Sequence, residues 1–312
     1  MVAPNQLTVV LPTFNRLDLL QQSIRSLEDQ TIKNFNVLIL DNSSIDGTSR
    51  YLRNLTSNSF KIELVIREQN IGYFQNLLDG ITRVQTQYIT FLSDDNVYLP
   101  NCLEKLLSAI SDEGDTSVVI GCHNLMTFNS KILRYSSKRN NSKYGRKTKL
   151  PSVLSNGYAR KLQLKRKIIS IDSALFLTDQ LRAAAVIEKH GLDYTLFSQY
   201  IILGGSAKYI SDSIMNYREN PEGISQNSKS QVSFANYVIE SCNALLINNK
   251  LSPEEVRWIN NEVFRYRYIL VKHGSIKPRI LIENFRWNSN LIHYKMMLRL
   301  PVIFILRYLR KI

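Results

Sequence analysis

A chain of 312 residues with 44% hydrophobic and 10% aromatic content carries enough apolar material for a real core, which excludes a disordered protein. No run of about 18 apolar residues occurs, the first residues lack a basic-then-apolar leader pattern, and Cys102, Cys122 and Cys242 lack metal-ligand spacing, so the expectation is a cytoplasmic protein without a membrane-spanning helix or disulfides. The net charge of +14 is segmental: residues 116–171 hold 13 Lys/Arg and no acid, and residues 265–312 hold 11 and a single acid, Glu283.

In chain order, the apolar runs 7–12, 35–40, 61–66, 88–92 and 117–121 read as strands. Amphipathic stretches at 16–29, 46–55 and 72–84 read as helices between them. Strands alternating with helices imply an α/β domain whose mostly parallel sheet is flanked by helices. Residues 136–167 are basic, with scattered Gly, Pro, Ser and Asn. They read as a loop followed by a short helix at 158–167. A strand from 168, a helix to about 190 and a second helix from 193 follow. From 229 the pattern is helical, and Ser252-Pro253-Glu254-Glu255 is a capping-box start. The chain thus divides into 1–222 and a helical, basic extension at 223–312.

In such sheets, ligands sit at the carboxyl ends of the strands. Polar residues cluster there: Thr13, Asn15 and Arg16 after the first strand, Asp41 after the second, Asn70 and Gly72 after the third, and Asp94 and Asp95 after the fourth. Two acids and Asn96 at a strand end suit either a turn or a hard cation carrying a diphosphate.

The ordered series "VVLPTFNR" (9–16), "VLILDNSSIDGTSRYL" (37–52), "NIGYFQN" (70–76) and "YITFLSDDNVYLP" (88–100) resembles the GT-A-fold glycosyltransferases of family 2. That resemblance implies a Rossmann-like GT-A fold with a helical C-terminal extension. It implies an inverting sugar transfer from a nucleoside-diphosphate donor to a hydroxyl of a bacterial surface glycan. By the same resemblance, Pro12, Thr13, Asn15, Arg16, Asp41, Asn70, Gly72, Asn76, Asp94 and Arg218 face the donor. Asp95 and Asn96 hold Mn²⁺ or Mg²⁺, and Asp193 is the catalytic base, with Asp172 and Asp179 as alternatives. The family's Asp-x-Asp is altered, because Ser93 stands at the first acid and Leu192 replaces the Glu that usually precedes the base.

The stretch 293–312 mixes bases with Leu, Ile and Phe and suits a helix lying in an anionic membrane surface. With a lipid-linked oligosaccharide as acceptor, the expected place is the inner face of the cell membrane. A nucleic-acid-binding protein would also explain the charge, but no nucleic-acid motif is present and acidic strand ends repel phosphate. A non-catalytic scaffold of the same fold would explain Ser93 and Leu192.

Overall fold

The computed structural model describes residues 2–110, 116–146, 150–188, 193–219, 228–273 and 275. In chain order the first elements are β1 (Leu7–Thr13), α1 (Leu17–Glu28), β2 (Phe35–Asp41), α2 (Thr48–Arg53), β3 (Phe60–Ile66) and α3 (Tyr73–Arg83). Next come β4 (Tyr88–Phe91), β5 (Val97–Tyr98), α4 (Cys102–Ser108), β6 (Thr116–Met126), α5 (Arg134–Lys143), β7 (Val153–Leu154) and α6 (Asn156–Arg166). β8 (Ala174–Leu177), α7 (Thr178–Glu188), α8 (Asp193–Leu203), β9 (Ser206–Arg218), α9 (Ser228–Asn248) and α10 (Pro253–Lys272) complete the described residues.

All seven residues of β1 are buried, and only Thr8 and Thr13 depart from an apolar run. Its side chains alternate between two cores. Val10 joins Leu38 and Leu40 beneath α3, while Leu7, Val9 and Leu11 join Val37 and Ile39 beneath α1. α1 contributes Leu20, Ile24 and Leu27 at helical spacing. α3 lies close on the sheet at Gly80, where a Cβ would stand 2.6 Å from Leu40 Cδ1.

The sheet runs β3-β2-β1-β4-β8-β6-β9-β5, with β7 paired to β9. Its first four strands are parallel, but β8 is antiparallel to both β4 and β6, while β9 runs parallel to β6. The sheet is therefore mixed where alternation alone implied a mostly parallel one. Part of the expected strand from 168 is a 3-10 turn over Ile171–Ser173. Reversal of β8 brings its entry to the edge where β1, β2, β4, β6 and β9 end.

Residues 134–143 form α5, not the expected loop. The helix escapes a hydrophobic pattern because its docking is polar: Ser137 Oγ accepts from Leu125 N at 2.7 Å, and Asn141 Nδ2 donates to the His123 carbonyl at 2.7 Å. Between them lies His123, 4% exposed, with Nε2 3.1 Å from Asn140 Oδ1 and no partner for Nδ1. Burial, reinforced by the nearby Arg146 guanidinium, pushes its pKa down to about 3. Between pH 6.5 and 3 the unfolded chain binds a proton that the folded chain refuses. Stability present above pH 6.5 is therefore lost as pH falls, by about 2 kcal/mol at pH 5. Urea midpoints at pH 7.5 and 5 should show a smaller acid loss in His123→Gln than in wild type, and equal losses would refute the account.

The chain divides into two compact units, 1–220 and 221–312. In the second, α9 and α10 pair, with Phe234 against Tyr266. The expected capping box is present: Ser252 Oγ accepts from Glu255 N, and the Glu255 carboxylate accepts from Ser252 N. Among the described residues no helix is long and apolar enough to cross a membrane. The stretch 293–312 lies outside the described residues.

Candidate active site

The loop between β4 and β5 is pinned on three sides. From below, Leu92 N donates to the Val10 carbonyl at 3.0 Å. From α1, Ser23 Oγ donates to the Asn96 carbonyl at 2.7 Å, and Ser26 Oγ accepts from Tyr98 N at 3.2 Å. From the entry of β8, the buried Asp172 carboxylate accepts from Ser93 N at 2.6 Å, Ser93 Oγ at 2.9 Å and Asn96 Nδ2 at 2.9 Å.

This leaves Asp94 and Asp95 at the front of the loop, where Arg16 spans them. Its Nη1 lies 2.9 Å from Asp94 Oδ1 and 3.1 Å from Asp95 Oδ2. Asp94 also accepts from Thr13 Oγ1 at 2.8 Å and from Phe14 N at 3.3 Å. Its pKa is pushed up to about 6 by burial, which outweighs the Arg16 charge, and Asp95 adds to the rise. Two carboxylates converging on one guanidinium nitrogen mark a point where positive charge is favoured, and their oxygen donors suit Mg²⁺ or Mn²⁺. Among the described residues no three His, Cys, Asp or Glu side chains are grouped to hold a metal ion by themselves, so a cation there needs oxygens from a ligand.

Next to it, the loops after β1 and β2 are stitched together. Asn42 N donates to the Thr13 carbonyl, Asn15 N to Ser44 Oγ, and Ile45 N to Asn15 Oδ1. Asn15 has φ +52°, a left-handed conformation that Asn tolerates. Asp41 is fully buried and accepts from Ser44 N at 3.1 Å and from Ser49 Oγ. Further along, Asn70 Oδ1 accepts from Asn42 Nδ2 and Gly72 N, both at 2.8 Å. Gly72 has φ +83°, which only glycine adopts freely, and no atom stands within 4 Å of where a Cβ would be. Asn76 is buried, bonded to the Leu40 carbonyl and to Arg67 Nε.

The expected residues therefore come together at one edge of the sheet in two layers. Asn15, Arg16, Asn70, Gly72 and Asp95 reach solvent; Pro12, Thr13, Asp41, Asn76, Asp94, Asn96 and Arg218 lie beneath them. Two of the buried residues are held by bonds within the protein. Asn96, expected on a metal, has both ends of its amide engaged: Nδ2 with Asp172, and Oδ1 accepting from Arg218 N at 2.9 Å. Arg218, expected on the donor, is 2% exposed and spends its guanidinium inside the protein. Nε donates to the Asp95 carbonyl at 2.8 Å, Nη1 to Ser130 Oγ at 2.9 Å and Nη2 to Gln22 Oε1 at 2.8 Å. Gln22 and Ser130 carry no sequence signal for this work.

Removing that guanidinium empties the space of a 2% exposed side chain and takes the donor from part-buried acceptors on Asp95, Gln22, Phe128 and Ser130. Arg218→Ala should cost about 3 kcal/mol or more in urea unfolding. A loss below about 1 kcal/mol would show that these bonds are individually unimportant.

Of the candidate bases, Asp193 opens α8, whose other end lies by Gly204 and Ser117 at the far edge of the sheet. The side chain of Asp193, and Leu192, lie outside the described residues. Asp179 is on the wrong edge: its neighbour Thr178 N bonds the Gln87 carbonyl before β4 begins, and its carboxylate pairs with Arg182 in solvent.

A mixed α/β sheet with an acidic loop at its carboxyl edge is the architecture of GT-A proteins, and the comparisons agree. Residues 8–169, more than half of the chain, match the profile of glycosyl transferase family 2. The chain belongs to that family. It is 30% identical over 118 residues to the GalNAc(5)-diNAcBac-PP-undecaprenol beta-1,3-glucosyltransferase of Campylobacter jejuni, covering 38% of each chain. The chain spans 38%, 32% and 40% of the lengths of three relatives it matches. In fold, the chain is similar to Staphylococcus aureus TarS 1–349 in complex with UDP-GlcNAc (TM-score 0.60, 14% identity, 93% of this chain and 78% of that one). It is equally similar to the mannosyltransferase PcManGT of Pyrobaculum calidifontis in complex with GDP-Man and Mn²⁺ (TM-score 0.60, 14% identity, 95% and 81%).

Proposed function

We propose that the chain is an inverting glycosyltransferase that moves one sugar from a nucleoside-diphosphate donor to a hydroxyl of a bacterial surface glycan. The observation that carries this reading is the pair Asp94 and Asp95, presented around Arg16 at the carboxyl edge of a family 2 fold. The Campylobacter relative's name refers to an undecaprenol-linked glycan, which supports a lipid-linked acceptor and a place at the inner membrane face.

In this reading the nucleotide lies over Asn15, Asn70 and Gly72, on a floor shaped by Pro12, Thr13, Asp41 and Asn76. Asp95 would hold Mn²⁺ or Mg²⁺ there. When bound, that cation supplies charge to offset the departing nucleoside diphosphate. Arg16 shifts from the carboxylates toward the diphosphate, while Asp94 keeps its bonds to Thr13 and Phe14 and so holds the loop in place. Asp193 takes the proton of the acceptor hydroxyl as that oxygen bonds to the anomeric carbon and the carbon–diphosphate bond breaks. One displacement with one base inverts the anomeric centre.

Calorimetric titration with UDP, GDP and dTDP, each with Mn²⁺ and with EDTA, tests the reading. One nucleotide should bind, and more tightly with the metal. Failure of all three under both conditions would sink it.

A further inference from the structure

Asp172 stands out among the charged groups because it is 1% exposed and three of the donors it meets belong to one short turn. Its Oδ1 takes both the backbone N–H and the hydroxyl of Ser93, and its Oδ2 takes the amide of Asn96. These are the two ends of the turn whose middle residues are Asp94 and Asp95. We propose that Asp172 is the positioning residue of the cation site, replacing from another part of the chain the carboxylate that Ser93 does not carry. The inference rests on the reading of the 93–96 loop as a metal–diphosphate site.

The hydrogen-bond directions explain why a carboxylate is needed. Asn96 Oδ1 must accept from Arg218 N, so its Nδ2 must point at residue 172. An amide at 172 has one oxygen. With that oxygen turned to Ser93, its NH₂ meets the NH₂ of Asn96, donor against donor; turning it the other way sets the NH₂ against Ser93 N–H. Rotating Asn96 instead breaks its bond to Arg218. Only a group that accepts on both oxygens satisfies Ser93, Asn96 and Arg218 together. An unmatched donor buried here displaces the turn, because burial without a partner is costly. The same carboxylate adds a negative charge at the two ends of the turn and so favours a cation near Asp94 and Asp95.

The test compares wild type with Asp172→Asn and with the charge-relocating double variant Ser93→Asp/Asp172→Ser. The probe is whichever of UDP, GDP or dTDP the wild type binds, titrated in Mn²⁺ and in EDTA, with thermal unfolding of each variant recorded alongside. Asp172→Asn should weaken Mn²⁺-dependent binding by about tenfold or more while binding in EDTA changes little. The double variant should recover most of the metal-dependent part, because the carboxylate returns to the same junction from the other side. Equal losses in Mn²⁺ and EDTA, or no loss at all, would overturn the proposal. So would a double variant no better than Asp172→Asn. Should Asp172→Asn fail to fold, the double variant decides alone: metal-dependent binding near the wild-type value supports the proposal, and its absence in a folded protein overturns it. A wild type that binds none of the nucleotides refutes the glycosyltransferase reading instead.

Discussion

Asp95→Ala should abolish metal-dependent nucleotide binding and lower sugar transfer by about 10³-fold or more, a loss of roughly 4 kcal/mol of transition-state stabilisation. Asp95 is the carboxylate of the loop that reaches solvent, at 15% side-chain exposure against 6% for Asp94. Its backbone carbonyl is held by Arg218 Nε, so the side chain is presented from a fixed main chain. Truncation removes the oxygens without disturbing that carbonyl, and folding should be nearly unaffected. Arg16 then retains Asp94 as its partner, which keeps a buried charge from being stranded. Calorimetry with and without Mn²⁺ separates the outcomes. Undiminished metal-dependent binding in Asp95→Ala would move the cation elsewhere.

Asp193→Asn should lower kcat by about 10²–10⁴-fold, the usual contribution of a positioned general base, and leave nucleotide binding intact. The separation follows from placement, since Asp193 opens α8 while the residues proposed to face the nucleotide sit on the loops after β1, β2 and β3. Steady-state transfer with a matched donor, beside calorimetry on the same preparation, reads both quantities. If transfer and binding fall together, Asp193 supports the fold. If neither falls, the base is another group, and Asp172 is the next carboxylate at that edge, with its lone pairs already committed to the loop.

The parts of this site legible in the sequence are those built from local signals. Thr13 and Asp41 close a strand, Asn15, Arg16, Asn70, Asp94 and Asp95 follow one, and parallel strands end on the same edge, so recognising the strands places the residues. The direction of β8 is not a local property. Four residues, Ala174–Leu177, look the same in either orientation, yet the reversal puts Asp172 at the site and Asp179 on the far edge. The surroundings of Arg218 are hidden for a similar reason. Its partners Gln22, Phe128 and Ser130 are 196, 90 and 88 positions away, and nothing near residue 218 records them. α5 was hidden because Ser137 and Asn141 dock it through hydrogen bonds, which leave no apolar stripe.

The clamp on the acidic loop also has a consequence for the order in which the chain is made. Residues 93–96 leave the ribosome long before the groups that hold them: Asp172 follows by 79 and 76 positions, and Arg218 by 122. Through that interval β1–β4 can already pair with one another, although β4 still awaits β8, while the turn carrying two carboxylates lacks its rear supports. The chemistry-bearing element is thus among the first parts of the unit to be synthesised and among the last to set. A chain interrupted before β9 presents the motif without the geometry, so possession of the motif does not by itself define a competent molecule.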